Sequence, residues 1–257
     1  MRKTVGTGAR RHGGAGRRAR ARMLMTLAVP LCLCASVPAA LRAQQVGTAP
    51  ERSPFHDILT HEGFTLYAGR FAGNPGAAGT GARPGLMLGA RLDVRVSSAL
   101  DISATFGEAF TSRLRIDAGG DTARTMGSLN VRLIAADLGL QLNLTGDKTW
   151  HGLAPYAYVG AGITTPSAKV VDPGGFELGT DFTIVPAIGT KFYISRSFAL
   201  RFEARDYYYR YTFPLFYFDR PYAAHANGAP VLSNSVPDRL WYNNFTLWVG
   251  VTYGFNF

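Results

Sequence analysis

The side chains best able to do chemistry in this sequence are charged residues that recur at every second position in several segments. Residues that alternate in this way lie on the same face of a β-strand. Five of these charges are positive and four are negative, so side chains on facing strands could pair, as buried charges must. The set is Arg91, Asp93, Arg95, Asp101, Asp137, Lys191, Arg201, Glu203 and Arg205. We expect either a packed polar core that locks the fold or a gated narrow pore.

Metal and cofactor chemistry has little support in the sequence. Two Asp/Gly-rich segments, 117–121 and 172–175, could bind Ca²⁺, but turns explain the same composition. The chain has no phosphate-binding loop, zinc-ligand spacing or dinucleotide fingerprint, so we expect no cofactor and no metal. Both cysteines, Cys32 and Cys34, precede residue 43, and the rest of the chain therefore has no thiolate to act as ligand or nucleophile.

Residues 1–43 have the composition of a secretory signal peptide. Eight of the first 22 residues are basic, an apolar run follows at 23–40, and Ala43 precedes the predicted cleavage point, with cleavage after Ala39 as the alternative. Nine of the 27 basic residues and none of the 17 acidic residues lie in this leader, which leaves 18 basic residues against 17 acidic ones. The basic isoelectric point therefore gives no reason to expect a nucleic-acid partner.

The last residues of the chain carry the clearest strand pattern. Seven apolar residues fall on one parity from Phe245 to Phe257, and asparagine, threonine and glycine dominate the other parity. Strands in soluble proteins usually have roughly 5–6 residues, whereas a tilted strand that crosses a bilayer needs about 9–11. The segment is therefore predicted to span a membrane with its apolar face toward lipid.

Seven further segments alternate in a similar way. The eight predicted strands are 64–71, 86–96, 100–107, 129–144, 155–163, 182–194, 198–205 and 245–257. We expect a parity shift at 135–136, and a bulge or membrane exit near Gly107 because Glu108 interrupts the apolar face. Residues 44–63 are predicted to be a periplasmic lead-in, with a possible short helix at 56–60.

The predicted connections alternate in length. They are short after strands 2, 4 and 6 and long after strands 1, 3, 5 and 7. An even strand count with both termini on the short-turn side is the plan of a bacterial outer-membrane barrel. The predicted fold is all-β, an eight-stranded antiparallel up-and-down transmembrane β-barrel over residues 64–257. A soluble barrel such as a lipocalin shows the same alternation with its apolar face inward, and is the alternative.

Two features favour the membrane barrel. Charges mixed with glycines suit a lumen just wide enough for side chains to fill. Aromatic residues also gather near strand ends, as they do in the girdles at membrane interfaces. The predicted girdle consists of Tyr207, Tyr208, Tyr209, Tyr211, Trp241 and Tyr242.

At two places the sequence resembles a known family. Residues 155–162, PYAYVGAG, and the hairpin 189–206, which ends in LRFEARD, resemble small outer-membrane barrels of the outer membrane protein A transmembrane-domain type. The resemblance covers residues 64–257 and implies the barrel fold. It implies no single function, since such barrels serve as anchors, adhesins, small pores and occasionally enzymes.

The C-terminus resembles the signal that the barrel assembly machinery reads. Its aromatic residues are Tyr253, Phe255 and Phe257, although Thr252 occupies the place where a glycine is expected. This resemblance implies the assembly machinery as a partner during insertion. The remaining expected partners are outer-membrane lipids and lipopolysaccharide, and we expect a monomer.

Three functions are compatible with these patterns. The first is a structural or binding protein with surface loops, the second is a narrow channel for small solutes, and the third is an enzyme at the rim that modifies lipid A. Such an enzyme needs a histidine beside a serine or carboxylate. His225 lies in a predicted loop with Ser233 and Asp238 nearby in sequence, but their spacing assembles no triad. We therefore expect no enzymatic activity.

Overall fold

The computed structural model describes residues 53–118, 125–218 and 230–256. Within these ranges one sheet contains twelve strands. They are β1 (Phe55–Asp57), β2 (Glu62–Phe71), β3 (Gly85–Arg95), β4 (Leu100–Ile116), β5 (Thr125–Asn143), β6 (Lys148–Trp150), β7 (Leu153–Pro166), β8 (Asp181–Tyr193), β9 (Phe198–Asp206), β10 (Tyr208–Thr212), β11 (Arg239–Tyr242) and β12 (Phe245–Phe255). A short 3-10 turn occupies Leu215–Tyr217. The predicted signal peptide and residues 44–52 of the predicted lead-in lie outside the described residues.

The sheet closes on itself because β2 pairs with β3 on one side and with β12 on the other. The strands β4, β5, β7, β8 and β9 complete the ring between β3 and β12. After β9 the chain continues as β10, which pairs with β8 and β11 above the ring. All these pairings are antiparallel, so the predicted eight-stranded antiparallel up-and-down barrel is confirmed.

The two faces of the barrel wall have opposite polarity. In β12 the outward side chain of Leu247 is 54% exposed, whereas the inward side chain of Thr246 is fully buried. The outward side chains Leu138 on β5 and Ile188 on β8 are 65% and 67% exposed. A soluble barrel buries its apolar face, so the lipocalin-like alternative is wrong. An apolar exterior around a polar interior is the arrangement of a barrel in a bilayer.

Among the residues that the structure describes, no helix is both long enough and apolar enough to span a membrane.

The β4–β5 hairpin is longer and more regular than the sequence predicts. Its strands stay in register from Leu100 opposite Leu142 to Leu114 opposite Ser128, and the pairing shifts only beyond Leu114. Gly107 lies directly opposite Ala135. The bulge, one of the two alternatives predicted near Gly107, is therefore wrong. The predicted parity shift of the apolar residues at 135–136 occurs without any break in the backbone register.

On β5 the apolar side chains change from the inner face to the outer face at residue 135, while the backbone geometry stays regular. After residue 135, toward the short turn, the inward side of β5 is polar. Before residue 135, toward the long loops, the inward Leu133 is 3% exposed and packs in an apolar core. On the outer side, Arg132 lies 3.6 Å from Glu108 in an exposed ion pair. The two faces exchange character where the hairpin leaves the apolar band, although the side chains keep alternating.

The segment before β2 forms a strand instead of the possible helix at 56–60, and that prediction is wrong. Phe55 pairs with Trp150 and Asp57 with Lys148, so β1 and β6 form a two-stranded extension at the short-turn end. A one-turn helix would have few internal hydrogen bonds, whereas pairing with β6 satisfies the backbone of β1. Asn256 fixes the chain beyond β1, because its side chain accepts a hydrogen bond from the His61 N–H at 2.8 Å.

Candidate functional site

The barrel interior contains two layers. The layer nearer the short turns, which are periplasmic in outer-membrane barrels, is a set of charged side chains that we call the lumen network. The structure brings all nine predicted charges to the inner face, and eight of them are buried, while Arg95 is partly exposed. The lumen network consists of Arg91, Asp93, Arg95, Asp101, Asp137, Lys191, Arg201, Glu203 and Arg205.

Arg91 on β3 is the centre of the lumen network. Its Nε lies 2.8 Å from Asp93 Oδ1, and its Nη1 lies 3.1 Å from Glu203 Oε2 across the lumen. Its Nη2 donates to Ser103 Oγ at 2.9 Å and to Gln141 Oε1 at 2.8 Å. The Arg91 guanidinium thus connects β3, β4, β5 and β9. These partners compensate its buried positive charge.

The arginines of β9 share the same carboxylates. Arg201 donates from Nε to Tyr156 Oη at 2.7 Å and contacts Asp93 and Gln141 through its other two nitrogens. Glu203 accepts a hydrogen bond from Tyr156 at 2.6 Å, so the tyrosine hydroxyl lies between the arginine and the glutamate. Each charged group therefore has several partners, as buried charges require.

Arg205 connects the lumen network to the next layer. Its Nε lies 2.7 Å from Glu203 Oε1, and its Nη1 lies 3.0 Å from Asp137 Oδ2. The hydroxyl of Tyr158 donates to the other oxygen of Asp137. The Arg205 guanidinium also lies over the ring of Tyr158, 5.0 Å from its centroid, where cation–π attraction adds to the ion pairs.

The periplasmic end of the lumen network is looser. Lys191 Nζ lies 3.2 Å from Asp93 and 3.9 Å from Asp101. Arg95 Nε lies 3.8 Å from Asp101, which is too long for a hydrogen bond. A small cavity of about 20 Å³ lies beside these groups. Polar contacts therefore become longer toward the mouth of the barrel.

Glycines on the same inner face make room for the long side chains. A Cβ added to Gly189 would lie 2.6 Å from the carbonyl oxygen of Phe202 and even closer to the hydroxyl of Tyr156. Such contacts are closer than packed atoms tolerate. The mixture of glycine, tyrosine and arginine on the inner face is therefore a packing requirement of a narrow lumen.

The layer nearer the long loops is apolar and aromatic, and we call it the aromatic plug. Tyr209 and Tyr211 are each 2% exposed, and their rings meet edge to face at 5.4 Å. Phe176 from the β7–β8 connection stacks on Phe213 and Tyr217, with centroids 6.0 and 6.1 Å away. Loop residues thus fold back over the barrel and continue its core.

The predicted aromatic girdle is wrong for four of its six members. Tyr207, Tyr209 and Tyr211 are buried inside, and Tyr242 packs against the same core. Their inward parity and the loops that fold over the barrel explain this placement. Tyr208 and Trp241 do face outward and stack at 5.1 Å, with Trp241 40% exposed. Their position at a membrane interface stays a prediction.

Tyrosine hydroxyls of the aromatic plug hold the β2–β3 connection. Tyr211 donates to the carbonyl oxygen of Asn74 at 3.0 Å and accepts from the Ala82 N–H at 3.2 Å. The hydroxyl of Tyr242 accepts from the Ala77 N–H at 2.9 Å. Hydrogen bonds of Tyr211 on β10 and Tyr242 on β11 thus hold this connection against the rest of the extracellular end.

A second buried ion pair, which sequence reasoning missed, fixes the β7–β8 connection. Arg113 on β4 donates to both carboxylate oxygens of Asp172, at 2.7 and 2.9 Å, and Arg115 reaches the same carboxylate at 3.2 Å. Asp172 belongs to the Asp/Gly-rich segment considered for Ca²⁺, and its carboxylate is occupied by these arginines. The described residues contain no cluster of three or more metal-ligating side chains. Part of the other segment, 119–121, lies outside the described residues.

The lumen network also includes partners that the sequence offered only as inward-facing residues. Gln141 is fully buried and bonds to both Arg91 and Arg201, while Tyr156 and Tyr158 complete the carboxylate contacts. Their inward parity was visible in the alternation. Their role as hydrogen-bond partners of the charged residues could not be predicted, because it depends on contacts across the lumen.

The predicted assembly signal is described only in part. Tyr253 points outward and is 49% exposed, and it stacks on Phe255 with centroids 6.0 Å apart. Phe257 lies outside the described residues. Recognition by the assembly machinery stays a prediction.

The closed ring, the exposed apolar exterior and the filled polar interior define a class of protein, the integral outer-membrane β-barrel. The described residues form a small, eight-stranded member of this class.

Comparisons with known proteins find distant structural similarity. No family model and no curated protein matches the sequence. Among solved structures, OprG from Pseudomonas aeruginosa aligns with 80% of this chain and all of its own, at 10% identity and a TM-score of 0.47. Neisserial surface protein A aligns with 79% of this chain and 98% of its own, at 13% identity and a TM-score of 0.46. AlkL, an outer-membrane protein, aligns with 82% and 97%, at 17% identity and a TM-score of 0.42. These values carry no conclusion about role.

Proposed function

We propose that this protein is a closed, non-conducting barrel of the bacterial outer membrane with a structural or binding role, which anchors and presents its surface loops. The observation that carries the proposal is the filling of the lumen by two successive layers. The lumen network occupies the periplasmic half, and the aromatic plug occupies the extracellular half. Loop residues such as Phe176 and Phe213 extend this packing outward.

The small volume of the cavity at the periplasmic mouth favours a closed barrel rather than an open channel. The cavity at the periplasmic mouth, next to Asp93 and Lys191, measures about 20 Å³. A cavity needs roughly 10–15 Å³ to hold one water molecule, so it accommodates about one. Arg91 and Arg201 cross the lumen above it and are at most 1% exposed. A solute would have to separate several ion pairs to pass.

A flux assay tests this proposal against the narrow-channel alternative. The refolded full chain is placed in liposomes loaded with small sugars or amino acids, and efflux is compared with protein-free liposomes. We expect equal efflux rates. Faster efflux that Glu203→Ala or Arg201→Ala alters would contradict the proposal and support a channel gated by the lumen network.

The loop-presenting role has its own test. In intact cells, added protease should cut the chain within the long connections and leave the barrel strands intact. Cleavage in the short turns at 96–99 or 194–197 would indicate the opposite orientation and contradict the proposed display of the long connections.

The rim-enzyme hypothesis stays without structural support. His225 lies outside the described residues, and the hydroxyl of Ser233 lies 3.1 Å from that of Ser235. Mass spectrometry of lipid A from cells with and without the protein should give identical spectra. A new acylated or deacylated species would contradict the non-enzymatic proposal.

A further inference from the structure

The segment before β2 crosses the barrel opening at the short-turn end, and we call residues 54–61 the latch. Its first part, β1, pairs with β6, which adjoins β7 through the pair of Trp150 and Leu153. In the ring, β7 lies four strands from β2 in either direction, so these two strands face each other across the lumen. Residues 58–61 therefore lead from one wall to the opposite wall.

The length of this crossing fits the width of the barrel. Eight strands about 4.8 Å apart and tilted by about 35–45° form a ring about 16 Å across. The extended chain from Asp57 to Glu62 reaches about 17 Å, whereas a path around half the rim would need about 25 Å. The latch thus passes across the opening and not around its rim.

Backbone hydrogen bonds hold the latch at both walls. The Ile58 N–H donates to the carbonyl oxygen of Asp147 at 2.8 Å, just before β6. At the other wall the Arg95 N–H, at the end of β3, donates to the carbonyl oxygen of His61 at 2.9 Å. The Arg95 side chain also donates to the carbonyl oxygen of Ile58 at 3.4 Å.

The residue after the closing strand holds the middle of the latch. The side-chain oxygen of Asn256 accepts a hydrogen bond from the His61 N–H at 2.8 Å, and its side-chain nitrogen donates to the carbonyl oxygen of Leu59 at 3.1 Å. Because Asn256 follows β12, the latch is fully held only when β12 is in place.

The latch covers the loose end of the lumen network. Thr60 and His61 line the cavity of about 20 Å³ together with Asp101 and Lys191. Lys191 lies 3.9 Å from Asp101, yet it is only 8% exposed. The latch is therefore the cover between Lys191 and the short-turn side.

Little apolar surface holds this cover closed. None of residues 54–61, all within the described part of the chain, is buried, and Leu59 is 54% exposed. Two buried atoms of residues that line the cavity, Glu62 Oε2 and Arg95 Nε, have no hydrogen-bond partner among the described residues, so access to solvent would benefit both. Segments with few buried apolar contacts open locally at a lower free energy than global unfolding requires.

We propose that the latch opens and closes locally while the barrel stays folded, and that it controls access from the short-turn side to the lumen network. The closed latch shields Lys191 and Asp101, and the open latch exposes them. Arg91 and Arg201 still close the lumen above, so opening alone gives no conduction. A latch that opens in a conducting barrel would contradict the proposed function only.

Chemical labelling of Lys191 measures the open fraction. The refolded full chain, with Cys32→Ser and Cys34→Ser, is treated in detergent micelles with a small amine-acylating reagent, and labelling is quantified by peptide mass spectrometry. Lys169, exposed in the β7–β8 connection, is the internal standard. Heat-modifiable migration on a gel first establishes that each variant folds.

A disulfide between β1 and β6 provides the closed reference. Asp57 and Lys148 are paired in register beside the hydrogen-bonded Ile58 and Asp147, so their Cα atoms lie about 4.5 Å apart, which suits a disulfide. With β1 fixed to β6, residues 58–61 cannot leave the opening. Oxidised Asp57→Cys/Lys148→Cys should label Lys191 several-fold more slowly than the same variant after reduction. Equal rates in the two states would overturn the proposal.

Asn256→Ala tests the opposite direction. It removes two hydrogen bonds from the closed latch, so labelling of Lys191 should accelerate by about ten- to thirtyfold. Asn256→Asp, which loses only the donor to Leu59, replaces it if that variant does not fold. Asn243→Ala is the matched control, because Asn243 donates to Asp206 at the other end of the barrel, and its rate should equal that of the wild type. Equal effects of the two alanine variants would refute the role of the latch.

A urea series separates local opening from unfolding. Opening the latch exposes little surface, so labelling of Lys191 should change little with urea below the unfolding transition. Labelling that appears only as the folded gel band disappears would show that the latch does not open independently of the barrel.

Discussion

Replacing Glu203 with glutamine tests the energetic role of the lumen network. The change preserves the shape of the side chain but removes the charge that lies 2.7 Å from Arg205 and 3.1 Å from Arg91. The new amide also directs N–H donors toward guanidinium groups that themselves only donate. Removing one partner of a buried ion pair typically costs 3–5 kcal/mol, because the other charge stays buried without compensation. We expect the free energy of unfolding of Glu203→Gln to fall by about this amount.

The assay is urea unfolding of protein refolded into detergent micelles, followed by gel migration and tryptophan fluorescence. Glu108→Gln is the matched control, since Glu108 forms an exposed ion pair with Arg132 at 3.6 Å. An exposed pair of this kind contributes about 0–1 kcal/mol, so the control should unfold nearly like the wild type. A loss below about 1 kcal/mol for Glu203→Gln, or equal losses for both variants, would refute the view that the lumen network is tightly coupled.

Three further predictions concern packing and the loops. Gly189→Ala should lower stability by about 1–3 kcal/mol in the same assay, because its Cβ would lie 2.6 Å from the Phe202 carbonyl oxygen; an unchanged midpoint would show that the lumen can relax. Asp172→Asn weakens the bidentate contact with Arg113, so limited proteolysis should cut the β7–β8 connection several-fold faster than in the wild type. Tyr211→Phe removes hydrogen bonds worth about 0.5–1.5 kcal/mol each, so amide exchange in the β2–β3 connection should accelerate, and unchanged exchange would contradict the anchoring role of this hydroxyl.

Strict alternation made most of the barrel predictable from the sequence. In β12 every inward and outward position between Phe245 and Tyr253 follows the parity of the sequence, since a strand has no other way to arrange its side chains. The charges of the lumen network were predictable for the same reason. Their pairing was not, because Arg91 and Glu203 are 112 residues apart and meet only after the barrel closes.

The extracellular half shows where this reasoning fails. The rule that apolar side chains point outward holds only inside the bilayer, so the apolar residues change parity at the inward Leu133 although the backbone register is unbroken. For the same reason, a run of tyrosines near a strand end was interpreted as a girdle although Tyr209 and Tyr211 are buried. The pair of Arg113 and Asp172 joins a strand to a loop, and loops carry no periodicity from which such a contact could be predicted.

The central claim is that two layers of side chains close the lumen, and single-channel recording in planar bilayers tests it most directly. Refolded protein whose insertion is verified should produce no discrete current steps, with Glu203 and Arg201 intact and the loops uncut. Reproducible steps of uniform amplitude from the folded, full-length barrel would contradict the claim.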